Sequence, residues 1–463
     1  MTRAQFSSLC VTFASLMSAV HLLDGSLFST TLSGLFLGIF ILLEWPLLMF
    51  AARAPLIGSL GLFLFFWLSG RTSPILLADA IDRAAFLAFF VVALGTLRDA
   101  AQTSKLVRTC GRIIVNQSPG RRYLTLTVGG HLMSALMSLG AVNLLGTMVR
   151  RAVHESRNSD DERVRQIRLH RMSLAVLRSF CAVPIWAPTS VAIAIIVSSS
   201  LDVTWRDMLP YGGAATLLYL GLGWALDRLT FQRPKVPGQP APRQPFLRPF
   251  AALTGIVILV PITGGVIARQ LDLNLISGLL IAIPFISIGW TIIQKRHYGM
   301  HKAAFLTGRR ISRKILPSFR ETRNEITIFA ASGFLAVILL PQIDVQLLSA
   351  GISRFGLTEG PVLVVASWVM IGLALLSVNP LVTAILVIET LVALPGMEFA
   401  PEVVALMISV TWAIVVGLSP FATSTRLLGR CIGHMPSEIG FRWNLSFVVI
   451  AALILDATLL VIG

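Results

Sequence analysis

PVLVVASWVMIGLALLSVNPLVT, residues 361–383, runs 23 positions without a charged side chain and is interrupted near its end by Ser377, Val378, Asn379 and Pro380. An uncharged stretch of this length can enter a bilayer. Ser-Val-Asn-Pro is nevertheless a poor continuation for a helix, because proline removes a backbone donor and pushes the residue before it out of the helical region. The stretch 361–393 therefore reads as two helical arms joined by a tip, a re-entrant hairpin rather than a crossing. A second stretch, 123–149, carries Gly, Ser and Asn at its middle and reads the same way.

The two stretches share a motif. Residues 142–147, VNLLGT, and 378–383, VNPLVT, both fit V-N-x-L-x-T. A proline-broken helix follows each: Ala187, Pro188, Thr189 and Ser190 after the first, and Ser419, Pro420, Phe421, Ala422, Thr423 and Ser424 after the second. Asn143 to Pro188 is 45 positions and Asn379 to Pro420 is 41, so hairpin and broken helix keep their order in each half. Such internal duplication is the mark of transporters built from inverted repeats.

Outward from these segments the chain is apolar nearly throughout. It has 463 residues, 55% hydrophobic and 13% charged, with mean hydropathy +0.80. A soluble domain carries about 25% charged residues, so a water-soluble fold is excluded. Apolar windows predict eleven spans, near 5–22, 30–50, 55–69, 82–97, 172–199, 208–226, 249–268, 273–293, 325–342, 403–425 and 442–462. Cysteines 10, 110, 181 and 431 are scattered without C-x-x-C spacing and read as small buried hydrophobes. Phosphate-loop, H-E-x-x-H and G-x-S-x-G motifs are absent, so no enzyme chemistry is expected.

The net charge of +16 collects in short segments between apolar runs, the pattern of cytoplasmic loops under the positive-inside rule, and no nucleic-acid partner is expected. Lys105 to Arg122 and Arg150 to Arg168 flank the first hairpin, which is expected to enter from the cytoplasm. Asp344, Arg354, Glu359, Glu398 and Glu402 flank the second, which is expected to enter from outside. The N-terminus then lies in the cytoplasm of a bacterial-type inner membrane. The chain divides into a half 1–228, with hairpin 123–149 and a broken helix around 187–190, a Pro-rich cytoplasmic linker 229–248, and a half 249–463, with hairpin 361–393 and a broken helix around 419–424. Segments 100–120 and 299–318 are basic and amphipathic and read as arms lying on membrane lipid.

A helix broken in hydrocarbon is tolerated only where its freed backbone is buried in protein or lines a watery cavity. Half-helix N-termini favour an anion, and unwound carbonyls with Ser, Thr or Asn oxygens suit sodium. In order and placement these features resemble the ion transporter superfamily, which includes divalent-anion sodium symporters, arsenite permeases and C4-dicarboxylate carriers; the likeness covers most of the chain. The resemblance implies two oppositely entering hairpins, a scaffold domain that builds a homodimer, and an elevator-like transport domain. In the divalent-anion branch a contiguous Ser-Asn-Thr at each tip touches substrate carboxylate and sodium. The nearest equivalents here are dispersed: Ser138, Asn143 and Thr147, and Ser377, Asn379 and Thr383, which leaves the solute and the coupling ion unassigned. Ala187, Pro188 and Thr189, and Ser419 and Pro420, look like that family's unwound-helix motifs by position; hydroxyls at the breaks around Pro188, Pro380 and Pro420, among them Thr189, Ser190, Ser419 and Thr423, are the further candidate ligands.

Charged groups inside apolar runs are costly and count as functional candidates. Arg178 and Arg426 are candidate anion contacts, weighed against snorkelling to the interface. His131 and Glu389 are candidate proton carriers, weighed against capping roles, and Glu44 reads as a scaffold contact. The sequence thus predicts a secondary active transporter for a small organic or inorganic anion, driven by sodium or protons, with no cofactor beyond sodium near Asn143 and Asn379. A cation/proton antiporter of the same superfamily and a non-transporting membrane enzyme or scaffold are the rivals.

Overall fold

The computed structural model describes residues 2–155, 161–231 and 247–463, and every regular element among them is helical. The N-terminal half contains α1 (Arg3–Asp24), α2 (Leu27–Glu44), α3 (Phe50–Leu68), α4 (Pro74–Thr103), α5 (Lys105–Val115), α6 (Pro119–Met137), α7 (Leu139–His154), α8 (Glu162–Cys181), α9 (Val191–Val197) and α10 (Trp205–Thr230). There follow α11 (Leu247–Gln270), α12 (Leu275–Gln294), α13 (Met300–Arg310), α14 (Leu316–Ser318), α15 (Arg323–Leu339) and α16 (Val345–Arg354). The chain ends with α17 (Glu359–Leu375), α18 (Pro380–Ala393), α19 (Pro401–Leu418), α20 (Thr423–Ile432) and α21 (Leu445–Ile462). The Pro-rich stretch Pro234–Pro245 of the expected linker lies outside the described residues.

Eight of the eleven expected spans are long and apolar enough to cross a membrane: α1, α2, α3, α11, α12, α15, the α19–α20 segment and α21. The chain is a polytopic membrane protein. The other three expectations are met differently. Segments 82–97 and 208–226 lie within the longer helices α4 and α10, and 172–199 is divided between α8 and α9.

Two compact units form, and they cut across the halves 1–228 and 249–463. Unit 1 comprises Met1–Ala100, Val260–Ser349 and Leu381–Pro395; unit 2 comprises Ala101–Leu259, Ala350–Pro380 and Gly396–Gly463. The first expected hairpin, α6 and α7, lies wholly in unit 2. The arms of the second, α17 and α18, are assigned to different units, and Leu376–Asn379 between them is not helical.

Unit 1 shows how packing works when the solvent is hydrocarbon. The inward face of α1 is built from small residues, Ser7, Ser8, Ala14, Ser15 and Ser18, while Leu9, Phe13 and Leu16 face outward. Small side chains let helices approach closely, and nothing is gained by hiding leucine from lipid. The same logic brings α11 against α12: a Cβ on Gly278 would stand 2.5 Å from the Gly264 carbonyl oxygen. Glu44, fully buried at the end of α2, accepts from Ser7 Oγ at 2.7 Å and from Arg320 Nε at 2.6 Å, with Arg323 at 3.8 Å. This clamp ties α1 and α2 to the segment before α15.

Unit 2 is organised around α19. Fourteen of its eighteen residues are buried, which suits a helix apolar on all sides. Helices α8, α9, α10, α17 and α21 pack on it. Arg171 makes a two-pronged bond to the buried Asp227, at 2.9 and 2.7 Å, joining α8 to α10.

Removing one partner of a buried ion pair strands the other, so Arg320→Ala is expected to lower unfolding stability by about 3 kcal/mol. The double change Glu44→Leu with Arg320→Met should recover most of that loss. Unfolding of purified protein in detergent, followed by tryptophan fluorescence, measures both.

Candidate functional site

Both interrupted helices lie in unit 2. After α8 a single 3-10 turn, Val183–Ile185, leads to Trp186 at φ −145°, and Pro188 blocks helical continuation. Ser190 then caps α9, its hydroxyl accepting from the Ala192 N–H at 3.2 Å. At the second interruption α19 stops at Leu418, Ser419 is extended, and α20 begins only at Thr423. Thr425 Oγ1 donates to the Ser419 and Ala422 carbonyls at 2.8 and 2.9 Å, and Ser424 Oγ to Val416 at 2.6 Å. The α19–α20 segment has 32 residues. One straight helix of that length would measure about 48 Å, against a hydrocarbon core of about 30 Å.

The tips carry the same backbone device. Ser138 between α6 and α7 has φ +51°, and Ser377 after α17 has φ +69°; among the described residues the other positive-φ non-glycine positions are Asp202 and Asp272. A conformation unfavourable for a residue with a Cβ persists only where its surroundings enforce it. A matching contact stands beside each tip. Thr189 Oγ1, beside Pro188, donates to the Ala135 carbonyl at 2.7 Å, and Ser419 Oγ, beside Pro420, donates to the Ala374 carbonyl at 3.0 Å. Each acceptor lies three positions before the positive-φ serine, in the last turn of its helix, and the Ala374 carbonyl also accepts from the Ser377 N–H at 3.2 Å. Thr189, Ser190 and Ser419 are thus occupied in holding backbone.

Two charged candidates are placed differently from expectation. Arg178 is buried and spends its donors inside the protein: Nε to Asn444 Oδ1 and Nη1 to the Tyr123 hydroxyl, both at 2.9 Å, and Nη1 to the Gly223 carbonyl at 3.3 Å. Its guanidinium also lies 4.3 Å over the Phe447 ring. Asn444 donates in turn to Gly417 O at 3.0 Å, just before the α19 break. Arg178 links α8 to the α19 break through Asn444, with Nε and Nη1 committed inside the protein. His131 donates from Nδ1 to the Ser179 carbonyl at 2.9 Å, and its Nε2 accepts from Trp186 Nε1 at 2.8 Å. Those partners assign a neutral ring, since a protonated Nε2 would face another N–H, and this disfavours proton carrying.

Thr383 and Glu389 belong to unit 1. Thr383 is buried, and Glu389 lies within electrostatic reach of Arg83. Asn379 and Pro380 close the unit 2 segment at the second tip, and Ser377 is exposed there.

What remains open lies on α7 and α20, packed together through Gly146, where a Cβ would stand 3.0 Å from Cys431 Cβ. Asn143 and Thr147 on α7, and Thr423, Arg426 and Arg430 on α20, are exposed. A cavity of about 570 Å³ opens there, lined among others by Asn143, Thr147, Arg150, Arg151, His154 and Arg430. Cys431 Sγ donates to Asn143 Oδ1 at 3.3 Å, and Thr147 bonds its own helix at the Asn143 carbonyl. Arg150 and Arg151 were legible only as loop charge, yet the run Asn143, Thr147, Arg150, Arg151, His154 keeps helical spacing and marks one polar stripe. Among the described residues no group of three or more His, Cys, Asp or Glu could hold a metal ion.

No family model matches the chain, and no curated relative matches it. Among solved structures it is similar to the YdaH transporter of Alcanivorax borkumensis, with 14% identity, a TM-score of 0.45, and alignment over 80% of this chain and 84% of that one.

Two outcomes separate bracing residues from exposed ones. Arg178→Gln should lower the thermal unfolding midpoint by several degrees, about 2 kcal/mol or more, because buried partners are left unanswered, whereas Arg426→Gln should leave it unchanged. Ser138→Gly should hold or raise the midpoint and Ser138→Val should lower it, by about 1–2 kcal/mol each way at most, if the positive φ is imposed on the serine. Differential scanning of the purified variants reads both pairs.

Proposed function

We propose that this chain is a secondary active transporter that moves a small organic or inorganic anion across an inner membrane. The observation that carries the proposal is the matched pair of bonds from Thr189 to Ala135 and from Ser419 to Ala374. Each fastens a broken helix to the end of a tip helix, with the same three-residue offset from a positive-φ serine. Proteins interrupt membrane helices at such expense mainly where a solute path needs exposed polar backbone. Repetition of the device in the same chain order supports an inverted-repeat origin.

The solute-facing groups in this reading are Asn143, Thr147, Thr423 and Arg426 on the exposed faces of α7 and α20, with Asn379 at the second tip. Guanidinium and amide donors favour an anion. Arg178, Thr189 and Ser419 act as positioning residues, and the neutral setting of His131 favours an anion carrier over a proton antiporter. Unit 2 holds both breaks and is the body that an elevator-like alternating-access cycle would carry. Sodium near Asn143 or Asn379, or protons, supply the drive, and a homodimer with a cytoplasmic N-terminus completes the proposal.

Purified protein in liposomes, given labelled carboxylates, sulfonates and oxyanions under an imposed sodium or proton gradient, should accumulate at least one of them. Asn143→Ala and Asn379→Ala should each abolish that uptake without changing the unfolding midpoint. Absence of flux for every solute under both gradients, or normal flux through both variants, would remove the proposal.

A further inference from the structure

The cavity between α7 and α20 has a lining more specific than a general anion path requires. Arg150 and Arg151 come from the end of α7, and Arg430 from the last turn of α20. Arginine in a last turn is ordinarily explained by the helix dipole. Here the last turns bring Arg151 and Arg430 to one volume that Arg150 also lines, three guanidinium groups in all, with Glu155 as the carboxylate in the lining. Arg150 spends one N–H on the Cys431 carbonyl at 3.4 Å. Among the described residues the side chains of Arg151 and Arg430 have no hydrogen bond or ion pair. Three like charges around one volume outnumber the single carboxylate beside them and repel, and an anion between them turns that cost into attraction.

Asn143 adds direction. The Cys431 thiol occupies its Oδ1, which leaves the amide NH₂ as its free group. Guanidinium forks match the oxygens of a phosphoryl group two at a time, and several forks around one volume suit a ligand with more than one acceptor oxygen. The cavity, at about 570 Å³, exceeds what a single oxyanion fills and accommodates a phosphate ester.

We propose that the α7–α20 groove is a binding site for a phosphorylated anion, supplied either as a soluble phosphate compound or as the headgroup of an anionic phospholipid. This deepens the anion-carrying reading and rests on it only for what binding achieves.

The full chain in phosphatidylcholine nanodiscs, titrated calorimetrically with inorganic pyrophosphate, is expected to bind it. The Arg151→Gln/Arg430→Gln double variant should bind about tenfold more weakly or worse. Both positions are exposed, and should the double variant not fold, Arg430→Gln alone carries the comparison. A parallel arm measures retention of phosphatidylglycerol after detergent washing. Retention by the parent and its loss in the variant assign a headgroup ligand; pyrophosphate binding without such retention assigns a soluble one. Either result upholds the site. No pyrophosphate binding together with no selective retention, or binding unaltered by the substitutions, overturns it. No flux is read, so a chain that binds pyrophosphate but carries nothing keeps this site and loses the transport proposal.

Discussion

A peptide group released from its helix in an apolar setting must find a partner within the protein, and two hydroxyls supply it where it matters most. Thr189 and Ser419 reach across to the carbonyls of Ala135 and Ala374, and Ser424 and Thr425 answer carbonyls around the second break. An unpaired group there costs several kcal/mol, and these hydroxyls add to the backbone bonds that the Ala374, Ser419 and Ala422 carbonyls accept from Ser377, Ala422 and Arg426. The left-handed serines, the short helix α9 and the exposed face of α20 all follow from helices that stop early.

The same scarcity of solvent governs charge. Glu44 is answered by two arginines and a serine, Asp227 by one two-pronged arginine, and Arg178 by an amide, a phenol and a carbonyl. Each joins segments distant in sequence, and the Arg178 chain continues through Asn444 to the residue before the α19 break. Buried charge in this molecule fastens elements together. The charge free to meet a ligand lies on surfaces that water or headgroups can reach.

That distinction sorts the candidate site. Thr189, Ser190, Ser419, His131 and Arg178 are bonded to backbone or to buried side chains, whereas Asn143, Thr423, Arg426 and Arg430 stand on open faces of two helices in contact. A site that must release its ligand is better placed on the second set, because its groups lose no internal partner when the ligand leaves.

The sequence by itself determined the polytopic helical class, because uncharged runs near membrane length leave no other way to satisfy the backbone. It located both interruptions, because proline beside Ser, Thr and Asn cannot continue a helix. It could not tell a buried, bonded arginine from an exposed one: Arg178 and Arg426 look alike in a string, and only packing shows that Tyr123, Gly223 and Asn444 surround the first while the second is exposed. Nor could it show that the two compact units take their segments alternately along the chain, or that Arg150 and Arg151 share a cavity with Arg430. Those outcomes depend on contacts between residues hundreds of positions apart, which local periodicity does not encode.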